Sequence, residues 1–163
     1  MITSILFFKR FDERISRHLE PVSESEVWMV NKRIKVLMAK LAIDGHDRGV
    51  KVISRWLRDA GMEVIYLGSF QTEDKVIKAA VQEDVDVIGL SFLGGQHLVL
   101  AEKFIAKLGE NGLADVLMLI GGAIPKPDIP RLKEMGVHEV FVTGSSMESI
   151  VSFIRDNVKK APA

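Results

Sequence analysis

Residues 34–49 read IKVLMAKLAIDGHDRG, in which the β-favouring apolar run Ile34–Ala39 gives way to a polar, glycine-containing turn ending at Gly49. From Gly49 to Asp59 the pattern changes to an amphipathic helix, and Ala60-Gly61 supplies a glycine where a helix C-terminus needs one. Strand, loop and helix in that order make a βα unit. Its strand is apolar without alternation, which suits a sheet covered on both faces.

The same unit recurs along the chain. Glu63–Leu67 (EVIYL) reads as the second strand, and Thr72 is placed to N-cap a helix through Glu83, with Asp74 and Lys75 in its first turn. Asp86–Ser91 (DVIGLS) is the third strand, followed by a loop with Gly94-Gly95 and a helix over Leu98–Gly109. Val116–Ile120 (VLMLI) is the fourth, closed by Gly121-Gly122. Pro125, Pro127 and Pro130 limit regular structure until a short helix near Leu132–Met135, before a fifth strand over Val137–Val142 and a last helix over Met147–Lys159. Right-handed crossovers make a flavodoxin-like, doubly wound α/β fold with a five-stranded parallel sheet of order 2-1-3-4-5 the expected architecture. In that order strands one and three are neighbours whose helices lie on opposite faces. A ligand is therefore expected between the loops Lys40–Arg48 and Phe92–His97.

The chain has 163 residues, enough for one core, and we assign residues 33–160 to it. Residues 1–32 read as an extension with a short helix near Asp12–Leu19 and a polar stretch Glu20–Glu26, a docking segment or, since Met29 precedes the first strand, a misassigned start. With 47% hydrophobic and 27% charged residues the composition is that of a folded globular protein. Lys+Arg and Asp+Glu are equal at 22 each, which argues against a nucleic-acid partner. The absence of cysteine excludes disulfides and thiolate metal sites. The apolar Ile5–Phe8 is followed at once by charges and no cleavage pattern, and no run reaches the ~18 apolar residues of a membrane span, so a cytoplasmic location is expected.

In the first loop Asp44 stands two residues before His46. A D-x-H spacing lets the carboxylate accept from one imidazole nitrogen while the other points outward to bind a metal or move a proton. The same spacing fits a solvated histidine beside an N-capping aspartate. Ser91 ends its strand where its hydroxyl can face the crevice or bond to backbone. Gly121-Gly122 offers either a bare surface for a flat group or a tight turn.

Taken together, Asp44-x-His46-x-x-Gly49, Ser91-x-Leu93 and Gly121-Gly122 resemble the D-x-H-x-x-G, S-x-L and G-G signature of the cobalamin-binding domain of B12-dependent enzymes, over about Lys32–Val158. Lys40–Gly49, Phe70-Gln71-Thr72 and the G-G-x-I-P run look like the acyl-CoA mutase branch that includes methylmalonyl-CoA mutase, as a separate small subunit. The resemblance implies adenosylcobalamin bound base-off, with His46 as the axial ligand to cobalt, Asp44 holding its tautomer and Lys40 balancing Asp44. The loop residues Gly45, Asp47, Arg48 and Gly49 then join the cofactor site. Ser91 bonds the displaced benzimidazole, Leu93 packs on it, and Gly121 and Gly122 line the tunnel of the nucleotide tail. Thr143 and Gly144 complete the site from the end of strand five, although Val142-Thr143-Gly144-Ser145 lacks the proline of the usual Gly-Pro-Gly-Thr-like turn. His97 is expected to face the corrin, the partner or the surface; His18 and His138 receive no role. No catalytic residue is expected in this chain, because the resemblance puts acyl-CoA chemistry in a large TIM-barrel subunit.

A receiver domain shares the fold but needs an Asp ending strand three and a Lys ending strand five, where Ser91 and Thr143 stand. A flavin carrier conflicts with the acidic first loop, and a plain divalent-metal site at Asp44 and His46 lacks a third ligand. The principal alternative is a corrinoid methyl carrier of a methyltransferase system, whose preceding helical bundle does not fit into 32 residues. A B12-linked sensor would need an effector domain.

Overall fold

The computed structural model describes residues 33–42, 45–93 and 95–158. The expected helix at 12–19 and the reading of residues 1–32 as an extension lie outside these residues, as do Asp44 and Gly94. Five strands alternate with helices: β1 (Lys35–Ala39), α1 (Arg48–Asp59), β2 (Glu63–Tyr66), α2 (Glu73–Glu83), β3 (Val87–Phe92), α3 (His97–Glu110), β4 (Leu117–Gly122), α4 (Ile129–Glu134), β5 (Glu139–Val142) and α5 (Met147–Asn157). All pair in parallel, in the order β2-β1-β3-β4-β5, which is the flavodoxin-like order expected.

Local chemistry sets most boundaries. Thr72 caps α2 by accepting from the Lys75 amide at 3.4 Å, and Ser146 caps α5 by accepting from that of Ser149 at 3.1 Å. Gly61, just past the end of α1, has φ +88°, the left-handed backbone that glycine adopts without strain. The expectation at the prolines needs correction. Pro127 sits in a 3-10 turn over Lys126–Asp128 and Pro130 in the first turn of α4, so the short helix begins at Ile129 rather than near Leu132. A proline there sacrifices no hydrogen bond, because first-turn amides have no intrahelical acceptor. Gly121 and Gly122 close β4 as expected and are its last paired residues, opposite Ser91 and Phe92 of β3.

Each strand sends alternate residues to opposite faces. One face carries Leu37, Ala39, Ile88, Leu90, Met118 and Ile120, packed with Val76, Ile77 and Ala80 of α2, Phe104 of α3 and Leu132 of α4. The other carries Val36, Met38, Val87, Leu117 and Leu119, against Val50 and Leu57 of α1 and Ile150 and Ile154 of α5. Each fully buried Leu or Phe in these layers contributes on the order of 1.5–3 kcal/mol of transfer free energy. Among the described residues no helix is long and apolar enough to cross a membrane.

Candidate functional site

The loops after β1, β3, β4 and β5 meet at the carboxyl edge of the sheet. Lys40, the residue after β1, is 1% exposed, and its Nζ donates to the Ser91 carbonyl at 3.2 Å and to Ser91 Oγ at 3.3 Å. A buried ammonium requires such acceptors. Because Ser91 Oγ accepts from Lys40, its own proton remains available to donate. Backbone pairing continues past β1, with Lys40 N bonded to Gly68 O at 3.2 Å and Ala42 N to Gln71 O at 3.0 Å. That pairing holds Phe70 at φ +61°, unusual for an aromatic residue, with its side chain largely exposed. A methyl group at Gly45 would come within 3.2 Å of Phe70 Cζ, so the ring lies against the histidine loop.

His46 is exposed, two residues before α1. Asp47 takes the N-cap position of α1 without a side-chain capping bond, and its carboxylate pairs with Lys51 at 2.5 Å. That hydrogen bond, with the charge of Asp47, raises the Lys51 pKa above its ordinary value. The expected link from Lys40 through Asp44 to His46 has its middle member outside the described residues, whereas the pairing of Lys40 with Ser91 is a contact the sequence did not suggest.

Between the sheet and helices α1 and α5 lies a slot of about 470 Å³, within the range of small-molecule sites. Met38, Gly89, Leu119, Gly121 and Phe141 face it from successive strands, with Ile53 and Trp56 of α1 and Ile150 and Ile154 of α5 opposite. Its polar side chains are few: Arg48, Ser91, Thr143 and Ser145. Arg48 and Thr143 are exposed, and Ser145 Oγ already donates to Val142 O at 2.8 Å. The interior is thus apolar and the rim polar. The paired glycines do different things. Gly121 leaves the floor bare, where a Cβ would make only ordinary contact at 3.5 Å, whereas at Gly122 (φ +124°) a Cβ would fall 1.9 Å from Phe92 O. Gly122 has to be glycine for β3 and β4 to pair.

Of the expected site residues, Arg48, Gly49, Ser91, Gly121, Gly122, Thr143 and Gly144 border this slot. Gly45 and His46 lie exposed on the loop leading into α1, and Leu93 is exposed after β3. His97 faces neither ligand nor surface: it is 3% exposed, with Nε2 2.8 Å from Asp128 Oδ2, tying the start of α3 to the segment after β4. The expectation erred because a histidine at a helix start reads as solvated, and only tertiary packing brings Asp128 to it. His138 accepts the Met118 amide at Nδ1, 3.0 Å. Sequence reasoning missed Met38, Trp56 and Phe141 as slot walls, although the strand alternation that aims Ser91 and Gly121 into the slot also selects Gly89 and Leu119.

The model of the B12 binding domain matches residues 34–152. The 2-hydroxyisobutanoyl-CoA mutase small subunit of Aquincola tertiaricarbonis is 45% identical over 77% of this chain and 92% of its own length. The pivalyl-CoA mutase small subunit of Xanthobacter autotrophicus is 43% identical over 74% and 81%. Methylmalonyl-CoA mutase of Cereibacter sphaeroides is 36% identical over 91% of this chain, which matches only 20% of that longer protein. A cobalamin-binding protein from Desulfitobacterium hafniense superposes with a TM-score of 0.66 over 78% of this chain and 60% of its own, at 22% identity, a likeness of fold. A signature intact at three strand ends, an apolar slot behind it and relatives matched over nearly their whole length agree: the chain belongs to the B12-binding domain family, alongside the small subunits of acyl-CoA mutases.

Proposed function

We propose that this chain is the cobalamin-binding small subunit of an adenosylcobalamin-dependent acyl-CoA mutase, with His46 as the protein ligand to cobalt. The observation that carries the reading is an apolar slot left bare at Gly121 and entered beside the loop that presents an exposed histidine. The residues fit the group. A flat aromatic base needs a surface without side chains, and its ring nitrogen needs one donor, which Ser91 retains.

Radical generation by cobalt–carbon homolysis is the chemistry that adenosylcobalamin supplies when bound. The chain's part is to hold and orient. His46 would hold the cobalt through its imidazole, and Asp44, two residues before it, would accept a hydrogen bond from the ring and so fix its tautomer. Lys40 fastens the β1 loop to the end of β3, so that the histidine loop and the Ser91 hydroxyl keep one spacing. Gly45, Asp47, Arg48 and Gly49 carry the backbone past the cofactor. Gly122, Thr143 and Gly144 complete the entry to the slot, and Leu93, exposed just past β3, would pack on the displaced base. Acyl-CoA chemistry belongs to a large TIM-barrel subunit, a reading supported by relatives named small subunits and by the match to only one fifth of methylmalonyl-CoA mutase. The two small subunits, at 45% and 43% identity, favour this reading over a methyl carrier.

The test is Co(II) EPR of the chain loaded with cobalamin after labelling with ¹⁵N-histidine. Nitrogen hyperfine coupling that changes with the label is expected, and His46→Ala should abolish it and weaken binding at least about tenfold. Coupling that survives in His46→Ala and still changes with the histidine label would remove the assignment. Co-purification with the large subunit and assay on a panel of acyl-CoAs then tests the mutase reading.

A further inference from the structure

We infer that His97 and Asp128 are positioning residues for the cofactor, latching the loop that carries Leu93 to the segment that follows the glycine pair. The inference rests on the cofactor reading above and goes beyond it, because neither residue lines the slot.

The loops after β3 and β4 are joined at two points. Near the strands, Ala123 N donates to Phe92 O at 3.0 Å. At the far ends, His97 Nε2 lies 2.8 Å from Asp128 Oδ2, and because a carboxylate accepts, Nε2 is the donor. Between Leu93 and His97 the sequence is Gly94-Gly95-Gln96, with Gly95 at φ +74°, and paired glycines have more backbone freedom to lose than other residues. Fixing the end of that stretch at His97 removes part of the freedom before any ligand arrives. Leu93, exposed at its start, is then held relative to Ser91, two residues before it.

As a stabiliser of the fold the contact is a poor one. His97 is 3% exposed, yet its Nδ1 has no hydrogen-bond partner among the described residues, so the desolvation of that nitrogen is uncompensated. Asp128 stands at the N-cap position of α4 but makes no capping bond there, its carboxylate being turned to His97. A methionine at position 97 would fill the space with no orphaned nitrogen, and Asp128, its side chain 31% exposed, could hydrate. A contact that forgoes a cap and strands a buried nitrogen, and in return fixes the distance between two loops, is placed for what those loops hold.

The full chain and its variants are titrated with aquocobalamin by calorimetry, alongside urea unfolding and amide hydrogen exchange of the unloaded chain. His97→Met is expected to keep its urea midpoint and to lose about fivefold or more in affinity, the factor that matches ordering one loop residue on binding. Exchange at residues 95–97 should quicken. His97→Gln, whose amide can donate to Asp128 in place of Nε2, should restore both affinity and protection. If His97→Met does not fold, the double substitution His97→Met with Asp128→Ser, which keeps a capping residue for α4, carries the same expectation. Unchanged affinity in a folded variant would overturn the inference, as would absence of rescue by His97→Gln, and binding by the unsubstituted chain would leave the cofactor reading intact. Stability and affinity lost together in both variants, or failure of both to fold, would overturn it too by making the pair a part of the core. No binding by the unsubstituted chain would overturn it together with the proposed function.

Discussion

The two faces of the sheet are built from the same strands to different ends. On the face covered by α2, α3 and α4, Leu37, Ile88, Leu90, Met118 and Ile120 are all at most 1% exposed and pack with Phe104 and Leu132. On the face covered by α1 and α5, glycine stands at 89 and 121, and about 470 Å³ is left between layers. Protein interiors are ordinarily close-packed, so a space of that size among apolar side chains forgoes dispersion contacts. One face carries stability; the other gives up part of it to admit a ligand. The part-buried Lys40–Ser91 pair follows the same division, since Ser91 borders the slot.

The comparison predicts unequal costs for similar truncations. Phe104→Ala, on the closed face, should destabilise by about 3–5 kcal/mol, because a cavity opens among neighbours that cannot collapse into it. Leu119→Ala, on the slot face, should cost less, below about 3 kcal/mol, since one side of Leu119 already borders empty space. Urea unfolding of both variants checks this, and equal losses would erase the distinction between the faces.

Smaller effects sharpen it. Ser91→Ala should lower cobalamin affinity by about 0.5–1.5 kcal/mol, the worth of one neutral hydrogen bond, while Lys40 keeps the Ser91 carbonyl and the fold changes little. Calorimetry on the variant reads it, and a large loss of stability without loss of affinity would place Ser91 in the core economy instead. The smallest effect lies at the start of β5, at a residue that does not line the slot. Burial pushes the Glu139 carboxyl up, but the hydrogen bonds from Lys133 and the Val140 amide outweigh it and hold the pKa below 4.5. A lowered folded pKa means that this contribution is full above about pH 4.5 and is lost as pH falls through the folded value. Glu139→Gln should therefore cost under about 1 kcal/mol near neutrality, discounted for exposure, and should converge with the unsubstituted chain in acid. A difference that persists below that range would contradict the ion pair as its source.

Much of the fold was legible because each strand and helix announces itself locally. Continuous apolar runs such as Val36–Ala39 mark buried parallel strands, and Thr72 and Gly61 mark helix ends by chemistry that operates within a few residues. The prolines are ambiguous for an equally local reason: Pro130 resembles a helix barrier in sequence, yet the first helical turn tolerates it. Of the candidate site, Ser91 and the glycine pair were legible as ends of β3 and β4, strands that the 2-1-3-4-5 order makes neighbours.

By itself the amino-acid order determined the succession of βα units, the sheet order and the edge at which a ligand sits, because periodicity, capping and crossover handedness are short-range or topological rules. Tertiary structure alone decided that His97 meets Asp128 across 31 positions, that Lys40 turns its ammonium to Ser91 across 51, and that Trp56 and Phe141 wall the slot. Such contacts join residues far apart in the chain. They depend on how layers settle against one another, which no local pattern encodes.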